Sequence, residues 1–306
     1  MKRFFKNIFI LILIVLITIS IIIMAGFRND TFVSGITLKI DLVKTTMDSD
    51  KKRIILIGGS NVVYGINSEL IESKLNNEYE VINFGLHAGA GLKYYLDIVT
   101  PYTKEGDIII ILPEYEHYFN DSFYGSDALA EMIEFYPPGI FTLSIEQYKA
   151  IGEKMNVYLF DDKIKRILKN NKETPSDKMF NEHCDLISHL GKEGKEISGR
   201  DKILHGERTY NSAVIPYIDS FAEEMDQKGA KVVYDFPPIP ENRYIEETYY
   251  FIHDKLKNEL DVDIIGDKED YTYPVSYFYD TGYHLNTIGR EIRSNQLAED
   301  IENYLK

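Results

Sequence analysis

The chain lacks tryptophan and has a single cysteine, Cys184, among its 306 residues. One cysteine cannot form an internal disulfide, so the fold depends on its hydrophobic core and not on covalent bridges. Basic residues are also scarce, since 34 Lys and Arg stand against 49 Asp and Glu and give a formal net charge of −15. Such a chain repels polyanions, and we expect no nucleic-acid partner.

Motifs for cofactors and metals are missing as well. The glycine-rich stretches 58–59 and 85–91 fit neither the dinucleotide pattern Gly-x-Gly-x-x-Gly nor a phosphate loop that ends in Gly-Lys-Ser/Thr. Glu114, Glu116 and His117 are spaced so that they share no helix or strand face suited to tight metal ligation. The sequence therefore predicts no cofactor and no metal site.

An apolar N-terminal segment is the first feature that is present. Residues 7–27 carry no charged side chain and follow the cations Lys2, Arg3 and Lys6. At about 1.5 Å per residue this segment spans roughly 30 Å, the thickness of a bilayer core. Because positive charge stays cytoplasmic, it predicts a single-pass anchor in the cell membrane with an extracytoplasmic C-terminal domain. A cleaved signal peptide is the less favoured alternative, because the segment is long and Met-Ala-Gly at 24–26 is not an Ala-x-Ala-like site.

Residues 28–50 are polar and mixed and are expected to form a stalk, and residues 51–306 are expected to form one domain. Short apolar segments alternate in this domain with helical periods, which favours an α/β fold, a three-layer sandwich with a flavodoxin-like parallel sheet. The predicted strands are Arg53–Gly58, Glu80–Phe84, Asp107–Leu112, Lys231–Phe236 and Asp261–Ile265. The predicted helices are Ser68–Leu75, Gly91–Tyr102, Ser212–Lys228, Tyr244–Leu260 and Thr287–Tyr304.

One connection between these elements is too long to be a simple loop. It runs from Leu112 to the helix at Ser212, so we expect an insertion at about 113–205. Helical periods predict helices at Ile145–Leu159 and Lys163–Lys169 within it. An insertion at the carboxyl end of a strand overhangs the ligand site of such a sheet, which makes it a candidate lid or partner surface.

Two distant segments carry residues suited to nucleophilic catalysis. Ser60 follows an apolar strand that ends in Gly-Gly, which predicts a hydroxyl at the carboxyl edge of the sheet. His284 lies four residues after Asp280, whose carboxylate can hold the imidazole. These residue types in this setting predict a catalytic triad of Ser60, His284 and Asp280.

The order of these segments resembles the SGNH/GDSL hydrolase superfamily, in which the serine opens the domain and the Asp and His close it. The first family block corresponds to residues 58–65, a second to 83–89 and the last to 280–284, although the family more often spaces the last as Asp-x-x-His. A further block, Gly-x-Asn-Asp, is absent after the third strand, where the chain reads Pro-Glu-Tyr-Glu-His at 113–117. The resemblance implies an SGNH hydrolase-like fold without the Asn that donates to the oxyanion.

The proposed triad assigns a role to each residue. His284 would act as the base that removes the Ser60 proton, and Asp280 would fix the imidazole tautomer. The backbone amides of Ser60 and of either Gly85 or Gly89 are the candidate oxyanion donors.

Neighbouring polar residues have structural explanations beside functional ones. Asn83 fits either a buttress of the second block or a turn residue, and His87 fits a loop histidine at the rim of the cleft. Glu114 or Glu116 can occupy the place of the missing Asn, where a carboxylate must be protonated or turned away from an oxyanion. Tyrosines crowd the proposed site and can stack on sugar rings, although tyrosine is abundant everywhere in this chain. They are Tyr115, Tyr118, Tyr271, Tyr273, Tyr277, Tyr279 and Tyr283.

Together, the anchor and the blocks resemble single-pass SGNH proteins that act with membrane-bound O-acyltransferases on surface polymers. The resemblance implies a serine esterase or O-acyltransferase that moves an acyl group, expected to be acetyl, on cell-envelope polysaccharide through an acyl-serine intermediate. The expected partners are the membrane, a cell-surface polysaccharide or acyl donor, and a membrane-bound O-acyltransferase. The alternative is a catalytically weak or inactive SGNH scaffold in an envelope polymer complex, which the missing Asn favours.

Overall fold

The computed structural model describes residues 1–27, 31–169, 176–194, 209–241 and 244–306. A parallel sheet with the strand order β2-β1-β3-β4 lies at its centre. The strands are β1 (Lys52–Gly58), β2 (Tyr79–Asn83), β3 (Ile108–Leu112) and β4 (Lys231–Tyr234), and β5 (Ile239–Pro240) pairs with β6 (Thr272–Tyr273) in a separate two-stranded sheet. The fold is therefore α/β, as the sequence predicts.

Helices connect the strands and extend the chain at both ends. They are α1 (Lys2–Gly26), α2 (Ile36–Thr45), α3 (Ser60–Gly65), α4 (Ser68–Lys74), α5 (Leu92–Val99), α6 (Asp127–Phe135), α7 (Ile145–Asn156), α8 (Lys165–Lys169), α9 (Ser176–Met179), α10 (Val214–Gln227), α11 (Glu246–Glu259) and α12 (Thr287–Leu305). A π-helix, Val157–Ile164, joins α7 to α8. Short 3-10 segments lie at Val33–Gly35, Thr46–Asp48, Ala88–Ala90, Thr100–Tyr102, Tyr115–Tyr118, Pro137–Thr142, Lys268–Tyr271 and Val275–Tyr277.

Both faces of the sheet are buried, because its central strands are apolar on both sides. The five residues of β3 are all buried, as is typical of a parallel strand covered by helices on each face. On one face, Leu56 packs with Ile71 of α4 and Leu297 of α12. On the other face, Ile57 belongs to a larger core that also includes residues of α2, α5, α10 and α11.

The predicted strands agree with the structure except at the fifth. Segment Asp261–Ile265 contributes only an isolated parallel bridge between Ile264 and Tyr234. Its neighbours in sequence are acidic and exposed, so it has too little apolar surface to extend the buried sheet. The ends of the predicted helices lie within a few residues of the observed ones.

Residues assigned to a stalk form part of the core instead. Helix α2 buries Ile36, Ile40 and Val43, whose spacing of four and three residues gives one apolar face. Lys39 is also buried, and its Nζ donates to the backbone oxygen of Asn83 at 2.8 Å. The sequence prediction of a stalk missed this apolar face because residues 28–50 are polar on average. Residues 28–30 lie outside the described residues.

The predicted insertion is integrated into the domain over its described residues 113–169 and 176–194. Phe123, Leu129, Met132 and Leu186 belong to the same core as the sheet. Helix α1, by contrast, is exposed along most of its length and is long and apolar enough to cross a membrane.

Candidate active site

The sharp turn between β1 and α3 presents Ser60. The strand ends at Gly58 and the helix begins at Ser60, which places this half-buried residue at the carboxyl edge of the sheet. A Cβ atom on Gly59 would lie 2.6 Å from Oε1 of Glu114, so glycine is required for the close approach of that carboxylate. The Gly-Gly-Ser sequence thus brings a hydroxyl and a carboxylate together.

Glu114 reaches the same edge because it follows β3, the neighbour of β1. Its Oε1 accepts a hydrogen bond from Oγ of Ser60 at 2.8 Å and another from the backbone N–H of Asn61 at 3.1 Å. Burial, together with the nearby Glu116, raises the pKa of Glu114 to about 7. The side chain therefore changes charge near neutral pH while it contacts the candidate nucleophile.

Asp280 and His284 form the second half of the candidate site. Nδ1 of His284 lies 2.6 Å from Oδ1 of Asp280, as the sequence-based triad requires. The imidazole stacks on the ring of Tyr64, with centroids 3.8 Å apart and an angle of 2° between the planes. Burial and then the Asp280 carboxylate raise the pKa of Tyr64, so its phenol stays protonated.

Tyr64 connects the two halves of the site. It lies four residues after Ser60 on α3, and side chains at this spacing share one face of a helix. The His284 imidazole therefore lies beside the helix that Ser60 begins, about one turn away. The hydrogen bond from the Ser60 hydroxyl goes to Glu114. Direct contact between Ser60 and His284 stays a prediction.

The segment after β3 also holds the loop that carries His284. The hydroxyl of Tyr283 donates to Oε2 of Glu116 and accepts from the backbone N–H of Tyr115 at 3.1 Å. Two nearby carboxylates thus contact the two halves of the site, Glu114 at the serine turn and Glu116 at the histidine loop. The segment 113–117 therefore links the serine turn to the histidine loop.

The glycine amides proposed as oxyanion donors have local acceptors. The N–H of Gly85 donates to Oδ1 of Asn83 at 3.2 Å, and the N–H of Gly89 donates to Nδ1 of His87 at 3.0 Å. His87 thereby caps the 3-10 turn at Ala88–Ala90. Asn83 is buried and also donates from Nδ2 to the backbone oxygen of Val62 at 3.1 Å. These bonds give both polar side chains structural roles.

The chain matches no protein-family model, and no curated protein matches it. The likeness to SGNH hydrolases therefore rests on the motifs in the sequence.

Two residues near His284 were not identified from the sequence. Tyr64 could have been found from its helical spacing to Ser60, whereas His189 lies in the insertion and gave no signal. The ring of His189 lies 4.7 Å from that of Tyr64, and its Nε2 lies 3.1 Å from the backbone oxygen of Leu285. Burial lowers the pKa of His189 to about 4, so it packs as a neutral ring behind the site.

Most of the tyrosines predicted to crowd the site are packing residues. Tyr115, Tyr118, Tyr271, Tyr273 and Tyr283 are buried. The two that keep partly exposed rings are Tyr277 and Tyr279, and the ring of Tyr279 lies 6.5 Å from that of Tyr64.

Other places in the described chain are poorer candidates for chemistry. A cavity of about 600 Å³ lies beside the edge strand β2, away from Ser60, and its lining includes Glu72, Glu80 and His183. Within the described residues, no group of three or more His, Cys, Asp or Glu side chains is arranged to hold a metal ion. His117, which follows the two glutamates, is buried with Nε2 3.1 Å from the backbone oxygen of Ala88.

Proposed function

We propose that the protein is a membrane-anchored serine esterase or O-acyltransferase with an SGNH hydrolase-like fold, acting on cell-envelope polysaccharide through an acyl-Ser60 intermediate. The observation that carries the proposal is the Asp280–His284 pair stacked on Tyr64 of the helix that Ser60 begins. The strand order 2-1-3-4 also supports it, since flavodoxin-like sheets share this order and bind ligands at their carboxyl edge.

The proposed reaction has two steps with one covalent intermediate. Oγ of Ser60 attacks the acyl carbonyl carbon while its proton passes to His284, and Asp280 stabilises the imidazolium. The tetrahedral intermediate collapses when the leaving alcohol takes this proton, which leaves an ester on Ser60. Water or a sugar hydroxyl then attacks this ester, and its proton returns through His284 to Ser60. The attacking group decides between hydrolysis and transfer.

Glu114 adds a condition to this scheme. Its carboxylate accepts hydrogen bonds from the Ser60 hydroxyl and from the backbone N–H of Asn61, which would otherwise be free to donate to an oxyanion formed at Ser60. A negative charge at this place repels an oxyanion, whereas the protonated acid can donate to it. The neutral form of Glu114 is therefore the competent one in this scheme, and it takes the role of the absent Asn.

The proposal is tested with the full chain in detergent and an activated acetate ester. Ser60→Ala should abolish ester hydrolysis, and mass spectrometry of the wild type should find the acetyl group on the peptide that contains Ser60. Ser220→Ala, at an exposed serine on α10, is the matched control and should leave hydrolysis unchanged. Equal hydrolysis by the wild type and Ser60→Ala would reject the proposed nucleophile.

A catalytically inactive scaffold is the second candidate function, and the Glu114 contact is the observation that favours it. A carboxylate fixed on the serine hydroxyl blocks attack if it does not release that hydroxyl. A strain with Ser60→Ala that still decorates its envelope polymer, while deletion of the whole protein abolishes decoration, would support the scaffold.

A further inference from the structure

The outer end of α1 is packed against the insertion. A Cβ atom on Gly26 would lie 2.8 Å from Cβ of Lys163, so the helix meets the π-helix Val157–Ile164 at van der Waals distance. The ring of Phe27 lies 5.4 Å from that of Phe135 at the end of α6. Lys163 is buried and forms a salt bridge with Glu134. The anchor helix and the insertion are thus in direct contact.

The length of α1 fixes the height of this contact. With Lys6 at the inner headgroup layer, Gly26 lies 20 residues further along the helix, which is about 30 Å higher at 1.5 Å per residue. This rise equals the thickness of the hydrocarbon core, so Gly26 lies at its outer boundary. Lys163, packed on Gly26, lies at the same height. The neighbouring residues of the insertion therefore reach the outer headgroup region.

Large apolar side chains of the insertion are exposed beside this contact. Phe160 and Leu168, near Lys163 on the π-helix and α8, are 62% and 77% exposed. Soluble surfaces rarely group such residues, and apolar side chains beside a membrane helix are typical of segments that lie in the interface.

We infer that Phe160 and Leu168 form a membrane-facing surface that enters the outer lipid layer beside α1. The occupant is lipid because the surface continues directly from the anchor helix at the level of the headgroups. The insertion then fixes how the domain is seated on the bilayer. This inference rests on the membrane anchoring in the proposed function but not on its chemistry.

The absence of tryptophan makes the inference directly testable. Phe160→Trp and Leu168→Trp each introduce one tryptophan, which can be excited selectively over the tyrosines of the chain. The full chain is placed in nanodiscs with and without lipids brominated near the headgroup end of the acyl chain. Ile21→Trp, exposed on α1, is the positive control, and Tyr250→Trp, exposed on α11, is the negative one. Circular dichroism in the same discs checks that each variant is folded.

The expected result is that Phe160→Trp and Leu168→Trp lose emission in brominated lipid as Ile21→Trp does, while Tyr250→Trp does not. If both behave as Tyr250→Trp while Ile21→Trp is quenched, the surface does not touch lipid and the inference is wrong. A third outcome is emission that is shielded from water, is insensitive to brominated lipid and changes with the number of proteins per disc. It would overturn the inference, because the surface would then contact a second copy of the protein. If the emission of Ile21→Trp is also unquenched, α1 does not lie in the bilayer, and both the proposed anchoring and the inference are wrong.

Discussion

At the scale of single residues, the carboxylate of Glu114 is the closest partner of the proposed nucleophile, because it accepts the hydrogen bond of the Ser60 hydroxyl. The sequence already placed a carboxylate at the position of the missing Asn, but the side chain could have pointed away from the serine. Only the approach of β3 to β1 and the lack of a side chain on Gly59 bring it within 2.8 Å of the hydroxyl. Such a contact depends on distances between strands that a single sequence does not contain.

Glu114→Gln should make ester hydrolysis less sensitive to alkaline pH. The amide keeps the shape of the side chain and can donate to an oxyanion at any pH, whereas wild-type Glu114, with a pKa of about 7, loses its proton as the pH rises. The ratio of Glu114→Gln to wild-type kcat/KM should therefore grow about tenfold per pH unit above 7. Because His284 is common to both proteins, its titration cancels in the ratio. A ratio that is constant from about pH 5 to 9 would contradict this role of Glu114.

A stability measurement checks the same titration without relying on catalysis. Folding raises the pKa of Glu114 from 4.5 to about 7, so the folded state holds the proton more tightly than the unfolded state. The stabilisation is full below pH 4.5 and is lost as the pH rises through about 7, by roughly 3 kcal/mol at most. The free energy of unfolding, measured by urea denaturation, should fall more steeply with pH over this window for the wild type than for Glu114→Gln. Parallel dependences on pH would show that the pKa of Glu114 is not raised.

Tyr64 gives a prediction about positioning. Tyr64→Phe keeps the ring on which His284 lies and should leave kcat near the wild-type value. Tyr64→Ala removes the stack, and a loss of about 0.5–1.5 kcal/mol of positioning corresponds to a decrease of about two- to tenfold in kcat. Ester hydrolysis by the two variants provides the comparison, and equal activity would mean that the stack does not orient the imidazole.

At the scale of elements, one buried carboxylate ties the insertion to the sheet. Asp185 accepts from Oγ of Ser68 at 2.7 Å, from Nδ2 of Asn83 at 2.9 Å and from the guanidinium of Arg290 at 3.1 Å. These partners belong to α4, β2 and α12, and Asp185 itself is fully buried. A single side chain therefore joins three elements that surround the serine turn.

Asp185→Ala should destabilise the protein strongly. It leaves the buried Arg290 and the Ser68 hydroxyl without their acceptor, and breaking a buried ion pair on one side typically costs about 3–5 kcal/mol. Asp226→Ala, which removes an exposed ion pair with Lys231, is the matched control and should cost less than about 1 kcal/mol. Urea denaturation in detergent measures the free energy of unfolding of both variants. Similar losses of stability would show that the contacts of Asp185 do not hold these elements together.

Elements with a clear period were predicted from the sequence, and those that depend on tertiary contacts were not. The four central strands follow from their apolar runs, and α12 follows from a long helical period. The prediction of a fifth strand was wrong in its length. The isoleucines at 264 and 265 favour a strand, but their neighbours in sequence are exposed. The network of Asp185 could not be predicted, since its partners are distant in sequence and become neighbours only after folding.

At the scale of the whole molecule, helix α1 and the cations in its first turns predict how the protein is placed in the membrane. The protein should remain with the membrane fraction after an alkaline wash, because about 20 apolar residues hold a helix in the bilayer. External protease should digest the domain in intact cells from which the wall has been removed, because Lys2, Arg3 and Lys6 keep the other end inside. Protection of the domain would reverse the proposed orientation.

Helix α2 determines where the chain can be shortened. A truncated chain that starts at Lys51 would remove Ile36, Ile40 and Val43 from the core. Burying these three side chains contributes about 1.5–3 kcal/mol each, so such a truncation should unfold or aggregate. A soluble form should begin before α2, and the melting of the two truncations compared by circular dichroism tests this expectation.

The packing of α2 also limits how far the domain can move from the end of α1. Only residues 28–30 separate Phe27 at the membrane from Thr31, which is already buried in the domain. Four peptide units extend at most about 14 Å, so the domain can move only a short distance from the end of α1. In the proposed topology and function, Ser60 therefore acts at one fixed height above the lipid. Polymer strands far out in the envelope are beyond its range, and modification must take place close to the membrane, before or while the growing polymer moves outward.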